Sequence, residues 1–202
     1  MIKPLFAQGI SHQTLLAQAE PSGVSTLRVT GPEGFSVGQH VFCCESDGSE
    51  LEYAGCVTAV DLDAVSVHLP LLQGKQSGGL VWSAESVFQW QRISAGPLHR
   101  SFQEGIRSEH SVGGAVWSVR TGDPWREDEL CFRGLLRSHF VAFRQWLTEN
   151  VRGGLDDFTW VDEARDVARV RLTNTEFLQV EQVPRVIELR LKLAVLEEGG
   201  YA

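Results

Sequence analysis

The segment RVIELRLKLAVLEE, residues 185 to 198, alternates without a break. Ile187, Leu189, Leu191 and Leu193 fall on one phase, and Glu188, Arg190 and Lys192 fall on the other. A period of two belongs to an extended strand, whose successive side chains point to opposite faces. This segment is therefore a strand with one face on an apolar core and the other on something polar, the habit of an antiparallel sheet. VARVRL at 167–172 repeats the pattern, with Ala168, Val170 and Leu172 against Arg169 and Arg171. DFTWVD before it sets Phe158 and Trp160 on one face, DEARD between them reads as a polar turn, and FLQVEQV runs as a further strand to Pro184. TNTE reads as a turn and the GGYA tail as loose.

A different period governs residues 127 to 152. Phe132, Leu135, Leu136, Phe140, Phe143, Trp146 or Leu147, and Val151 follow the i, i+3, i+4, i+7 rule of an amphipathic helix. Asp123-Pro124 and Asp128 both read as starts. Glu127, Asp128 and Glu129 suit the positive end of a helix, Arg152 suits the negative end, and Gly153-Gly154 supplies the stop. AVWSV at 115–119 precedes it as a strand. The sequence thus predicts one long helix at about 127–152, set among strands.

Residues 24 to 83 read as a compact β module of about five short strands with glycine-rich turns: STLRVT, HVFCCES, ELEYAGCVTAVD with a bulge or bend at Gly55, AVSVHLPL and LVWSA. Residues 1 to 23 form an N-terminal segment that could return a strand to the main sheet, making the module an insertion. SVFQWQR then alternates as a strand. Residues 94 to 114 hold turn residues, His99 and His110 without a sustained period, and read as a long loop.

Composition narrows the chemistry. With 202 residues the chain is one large domain or two small ones, and its formal net charge of −8 argues against a uniform nucleic-acid footprint. No stretch approaches the length of an apolar membrane span, and the start does not read as a secretory signal. Cys43, Cys44, Cys56 and Cys131 form no CxxC pair. They read as buried thiols made in a reducing compartment, with a disulfide, or a metal site built from Cys43 or Cys44, Cys56 and His40 or His68, as the alternative. None of the GxSxG, GxxxxGK[ST], HExxH or GxGxxG patterns is present. The acids Asp156, Asp157, Asp162, Glu163 and Asp166 could supply a carboxylate pair for hydrolysis, but Arg165, Arg169 and Arg171 stand beside them, so a charged turn is the plainer reading. His139 reads as a boundary residue on the helix. Trp125, beside a proline in a turn, is the tryptophan expected to be exposed.

The order from VWSVRTGDPWREDELCFRGLLRSHFVAFRQWLTENVRGGLDDFTWVDEARDVARVRL to VPRVIELRLKLAVLEE runs strand, acid-capped helix, glycine pair, FTWVD strand, arginine-bearing strand and long charge-alternating strand. Over about residues 85 to 198 this resembles the tail-tube-type domain of tailed-phage tail-tip proteins, the siphophage distal tail and minor tail protein M type. The resemblance implies a mainly β, α+β fold: an antiparallel β-sandwich with a flanking helix at 84–202, here with the small β-barrel module at 24–83 on the outside. It implies a structural protein with no catalytic residue, cofactor or metal, made in the bacterial cytoplasm and carried in the virion. Such domains form rings, commonly hexamers, between the tail tube above and hub or fibre proteins below. DNA passes through the lumen without specific binding, and no membrane is involved. The contact residues expected on this reading are Trp125, Asp162, Glu163, Arg165, Arg169, Arg171, Arg190 and Lys192. The alternatives are a module that contacts a host-surface glycan or protein, and a hydrolase built on the acidic cluster.

Overall fold

The structure, a computed structural model, describes residues 2–91, 99–103, 106–110, 116–120, 125–173, 178–183 and 186–198. In chain order the elements are β1 (Leu5–Leu15), β2 (Thr26–Arg28), β3 (His40–Cys44), β4 (Glu52–Val60), β5 (Ala64–Val67), β6 (Leu80–Gln89), β7 (His99–Gln103), β8 (Ile106–His110), β9 (Val116–Arg120), β10 (Trp125–Leu136), α1 (Arg137–Asn150), β11 (Phe158–Val161), β12 (Val167–Leu172), β13 (Leu178–Val183) and β14 (Val186–Glu198). The protein is mainly β with one helix. A single antiparallel sheet runs β2-β5-β4-β3-β6-β1-β11-β12-β14-β10-β7, β13 pairs with β14, and β8 and β9 make a separate two-stranded sheet.

The alternating C-terminal segment is β14, and it organises the second half of the sheet. One edge pairs along its length with β10. The other pairs first with β13 and then with β12. Its apolar phase, Ile187, Leu189, Leu191 and Leu193, is buried, and α1 covers it with Phe140, Phe143, Trp146 and Leu147. Burying such side chains contributes about 1.5–3 kcal/mol each.

The helix is shorter than the period predicts. It spans Arg137–Asn150, and the preceding stretch, Trp125–Leu136, is strand β10. The cause is a β-bulge. Leu130 and Phe132 face the core in strand alternation; the register against β14 then shifts between Phe132 and Leu135, with Gly134 at φ 71°, and Leu135 faces the core again. One inserted residue turns a spacing of two into a spacing of three, which in sequence mimics a helix. Glu127 and Glu129 accordingly face Lys192 and Arg190 across the sheet rather than capping a helix. The helix stops where predicted: Arg152 and Gly153 adopt left-handed φ of 45° and 74°, and the Gly153 N–H returns to the Leu147 carbonyl at 2.9 Å.

Three further expectations change. LVWSA and SVFQWQR are one continuous strand, β6, so a boundary at 83/84 falls inside a strand. The 94–114 segment holds strands β7 and β8 rather than a loop. Trp125 opens β10 opposite Gln103 rather than sitting in a turn. The Asp123-Pro124 start, residues 174–176 of the TNTE turn, Pro184 and the GGYA tail lie outside the described residues.

Strand β1 joins the two halves. Leu5, Phe6 and Ala7 pair with β11 on one side, while the whole strand pairs with β6 on the other. Phe6 sits among the rings of Trp90, Phe143, Trp146, Phe158 and Trp160, at centroid distances of 4.8 to 6.0 Å. Leu5 and Ala7, on the opposite face, join Phe42, Tyr53 and Trp82 of the N-terminal half to Val161 and Val167 of the C-terminal half. A third cluster fills the N-terminal half around Leu27, Val41, Cys43, Val65 and Val81. There the strand path returns toward itself, because Leu16, just past β1, bridges Val29, just past β2. Gly55 takes φ 88° at the expected bulge, where an added Cβ would lie 3.0 Å from Leu69.

Candidate functional site

Apart from Trp125, which opens β10, the contact residues singled out in the sequence separate into two places. Asp162, Glu163 and Arg165 form the turn between β11 and β12, at the seam of the two halves. Arg169, Arg171, Arg190 and Lys192 lie together on the sheet face opposite α1.

The turn is built by Asp162. Its Oδ1 accepts the Ala164 and Asp166 amides, both at 2.8 Å, and its own N–H donates to the Asp166 carbonyl. Burial pushes its carboxyl above the ordinary aspartate range, with the neighbouring Asp166 and Glu163 charges adding to that against the amide bonds. The tight closure leaves Arg165 at φ 78°, a left-handed conformation that is uncommon for an arginine. Strain of this kind persists where surrounding contacts over-determine it, and the contacts are present. The Arg165 guanidinium donates twice to the Tyr53 carbonyl at 3.1 and 2.7 Å, to the Pro70 carbonyl at 2.9 Å and to Glu52 Oε1 at 2.7 Å. Glu52 also accepts the Leu72 and Gln73 amides. Both side chains are nearly buried, at 10% and 6% exposure. Burial lowers the Arg165 pKa, and the Glu52 charge opposes that shift.

Beside this lock opens a cleft of about 560 Å³, lined among others by Glu50, Leu72, Trp160, Asp162 and Asp166. Arg126 and Asp128 also line it, joined by two parallel bonds at 2.8 and 2.6 Å.

On the outward face Asp157 is clamped between Arg169 at 3.0 Å and Arg171 at 2.6 Å. Asp156 pairs with Arg152, whose hydrogen bonds hold the Asp156 carboxyl below its usual range. Arg190 binds Glu188 at 3.0 Å and reaches Glu129 at 3.9 Å, and Lys192 reaches Glu127 at 3.8 Å. Glu188 also faces Arg133 at 3.4 Å, and its carboxyl is held low, chiefly by the Arg190 hydrogen bonds. Of the acids expected in a charged turn, Asp156 and Asp157 are held by specific arginines, while Asp162 binds the backbone amides of the turn.

The sequence missed Glu52, the Arg126–Asp128 pair and the outer face of α1. A signal for Asp128 existed: it stands two and four residues before Leu130 and Phe132, in phase with the buried side of the strand. Nothing local marked Glu52, because its partner lies more than a hundred residues away.

Cys43 and Cys44 are buried on opposite faces of β3, and all four cysteines are free. Burial pushes the Cys43 thiol up to about 12 and Cys44 up to about 11, which makes both poor nucleophiles. His40 Nδ1 lies 2.7 Å from the Tyr53 hydroxyl. Among the described residues, no group of three or more His, Cys, Asp or Glu side chains is arranged to hold a metal, and no helix is long and apolar enough to cross a membrane. The sequence matches no protein-family model and no curated protein.

Proposed function

We propose that this chain is a structural component of a phage tail tip, a ring protein that joins the tail tube to hub or fibre proteins and carries out no catalysis. On this reading the C-terminal half is a tail-tube-like sandwich flanked by α1, and the N-terminal half is a small barrel module on its outside. The observation that carries the reading is the hairpin β8–β9. Among the described residues it pairs with no third strand, while the β7–β10 pair from which it continues is part of the main sheet. A two-stranded arm with open edges is marginal alone and ready to pair with another chain. The ion-paired sheet face opposite α1 supports the same role. Its arginines and Lys192 are already matched to acids, so a wall built from it would not grip DNA phosphates strongly.

Sedimentation of the full chain, alone and with its tail-tube partner, tests this. The expected result is one closed oligomer of fixed number; a monomer under both conditions overturns it.

A second reading, a host-surface glycan or protein contact through the module, is favoured by Leu62 and Val37, which are 99% and 70% exposed on its loops. Because β1 and β6 are shared between the halves, the test uses the intact chain: Leu62→Asp with Val37→Asp should abolish cell-surface retention on this reading and leave it unchanged if the module is only structural.

A further inference from the structure

Among the described residues, bases have acid partners in the same chain almost throughout. Arg28 faces Asp63, Lys75 faces Glu50, Arg126 faces Asp128, Arg133 faces Glu188, Arg152 faces Asp156 and Arg165 faces Glu52. The four bases of the outward face are paired as well. Among the described side chains, Arg137 and Arg144 break the rule, together with the terminal Lys3. They stand seven residues apart, two turns of α1, and therefore share a face. Between them lies Val141, 55% exposed, and before them Leu136, 50% exposed. A groove of about 420 Å³ runs along this strip, floored by Phe140 and edged by Gln145, Thr148 and, at its far end, Glu149, whose carboxylate accepts from Gln145.

Arg137 is also misplaced by the ordinary rule. It is the first residue of α1, where unpaired amide N–H groups and the positive end of the helix dipole disfavour a base. The helix has no side-chain cap and no acid in its first turn. A local rule broken without a gain inside the chain points to a partner that supplies the missing negative charge.

The same chain carries the complement. At the seam cleft both arginines are already engaged, Arg126 by Asp128 and Arg165 by Glu52. The Asp166 carboxylate accepts no hydrogen bond among the described residues and acts on Arg126 only through its charge, and Asp162 uses one oxygen for both of its amide bonds. Glu50 stands on the same rim with its side chain half exposed, and Leu72, 57% exposed, gives the rim an apolar edge. The rim is acidic with an apolar residue; the α1 strip is basic with an apolar residue.

We propose that the α1 strip of Leu136, Arg137, Val141 and Arg144 docks on the Glu50, Leu72, Asp162 and Asp166 rim of a second copy of this chain. The two patches are different, so the contact is heterologous: each copy presents one patch to each neighbour, and repetition closes a ring or extends a filament. The contact rests on the ring reading only for its closure, and it names which surfaces meet. Opposite charges set its register and partner choice, while Val141 and Leu72 supply the buried apolar part.

Two charge variants of the full chain, followed by sedimentation velocity where the wild type assembles, test it. Arg137→Glu with Arg144→Glu removes the strip, and Asp162→Asn with Asp166→Asn removes the charge of the rim. Each alone should stay monomeric. Mixed in equal amounts they should give a species of two chains and nothing larger, because one working strip and one working rim remain per pair. Dimer formation also shows that both variants are folded. Arg137→Lys with Arg144→Lys should assemble like the wild type. If either charge variant assembles like the wild type, or the mixture stays monomeric, the contact is wrong while the ring reading stands. A wild type that never assembles, alone or with tail partners, overturns both.

Discussion

Arg165 is the residue on which the junction of the two halves turns. A single guanidinium from the C-terminal half satisfies two backbone carbonyls and a buried carboxylate of the N-terminal half. Removing one partner of a buried pair leaves the other charge uncompensated, which costs about 3–5 kcal/mol. Arg165→Met should therefore lower stability by roughly that amount in a denaturant titration. Arg165→Met combined with Glu52→Gln should lose less than the sum of the two single changes, because the second change removes the orphaned charge. Full additivity would mean that the pair is not coupled. Lys75 predicts the opposite sign. Its side chain is fully buried, its ammonium has no hydrogen bond, and its carboxylate partner Glu50 is half exposed at 3.5 Å. An apolar side chain of similar length avoids the burial penalty, so Lys75→Met should leave stability unchanged or raise it by about 1 kcal/mol or more. A clear loss would show that the ammonium makes an interaction this geometry does not contain.

At the scale of elements, the strands announced themselves where alternation ran unbroken. In β14, Ile187 to Leu193 lie buried on one phase, and β11 and β12 follow the same logic. The failure at β10 has a physical cause rather than a statistical one. A bulge at Gly134 re-phased the apolar residues into a helical spacing, and the glycine inside the supposed helix was the available warning. The site was less legible, because its partners are long-range: Glu52 and Arg165 meet only through the fold, and Arg137 and Arg144 stand out only against the ion pairs that the fold assembles for the other described bases of the sheet.

The helix seat also carries a pH signature. Burial lowers the His139 and His40 pKa values below the ordinary 6.5, and His139 Nε2 accepts the Gln91 N–H at 3.3 Å, which requires the neutral ring. The unfolded chain then takes up protons that the folded one refuses. The contribution of these groups is complete above pH about 6.5 and falls as pH drops toward their folded values, by up to about 1.4 kcal/mol per pH unit per proton. His139→Gln, which keeps an acceptor, should flatten the slope of stability against pH between 7 and 5. An unchanged slope would assign that titration elsewhere.

On the whole-molecule scale, the chain is one continuous sheet with two internally packed halves, stitched by β1 and β6 and locked by Arg165. Among the described residues, the β8–β9 hairpin pairs with no third strand, and the basic strip of α1 and the acidic rim of the seam are exposed. Those are the features on which the proposed tail-tip reading and its contact between copies rest. The direct measurement is electron microscopy of the purified chain, alone and with the tail-tube protein proposed as its partner. The account predicts closed rings with a central hole and a uniform subunit number; fields of isolated single chains under both conditions would contradict it.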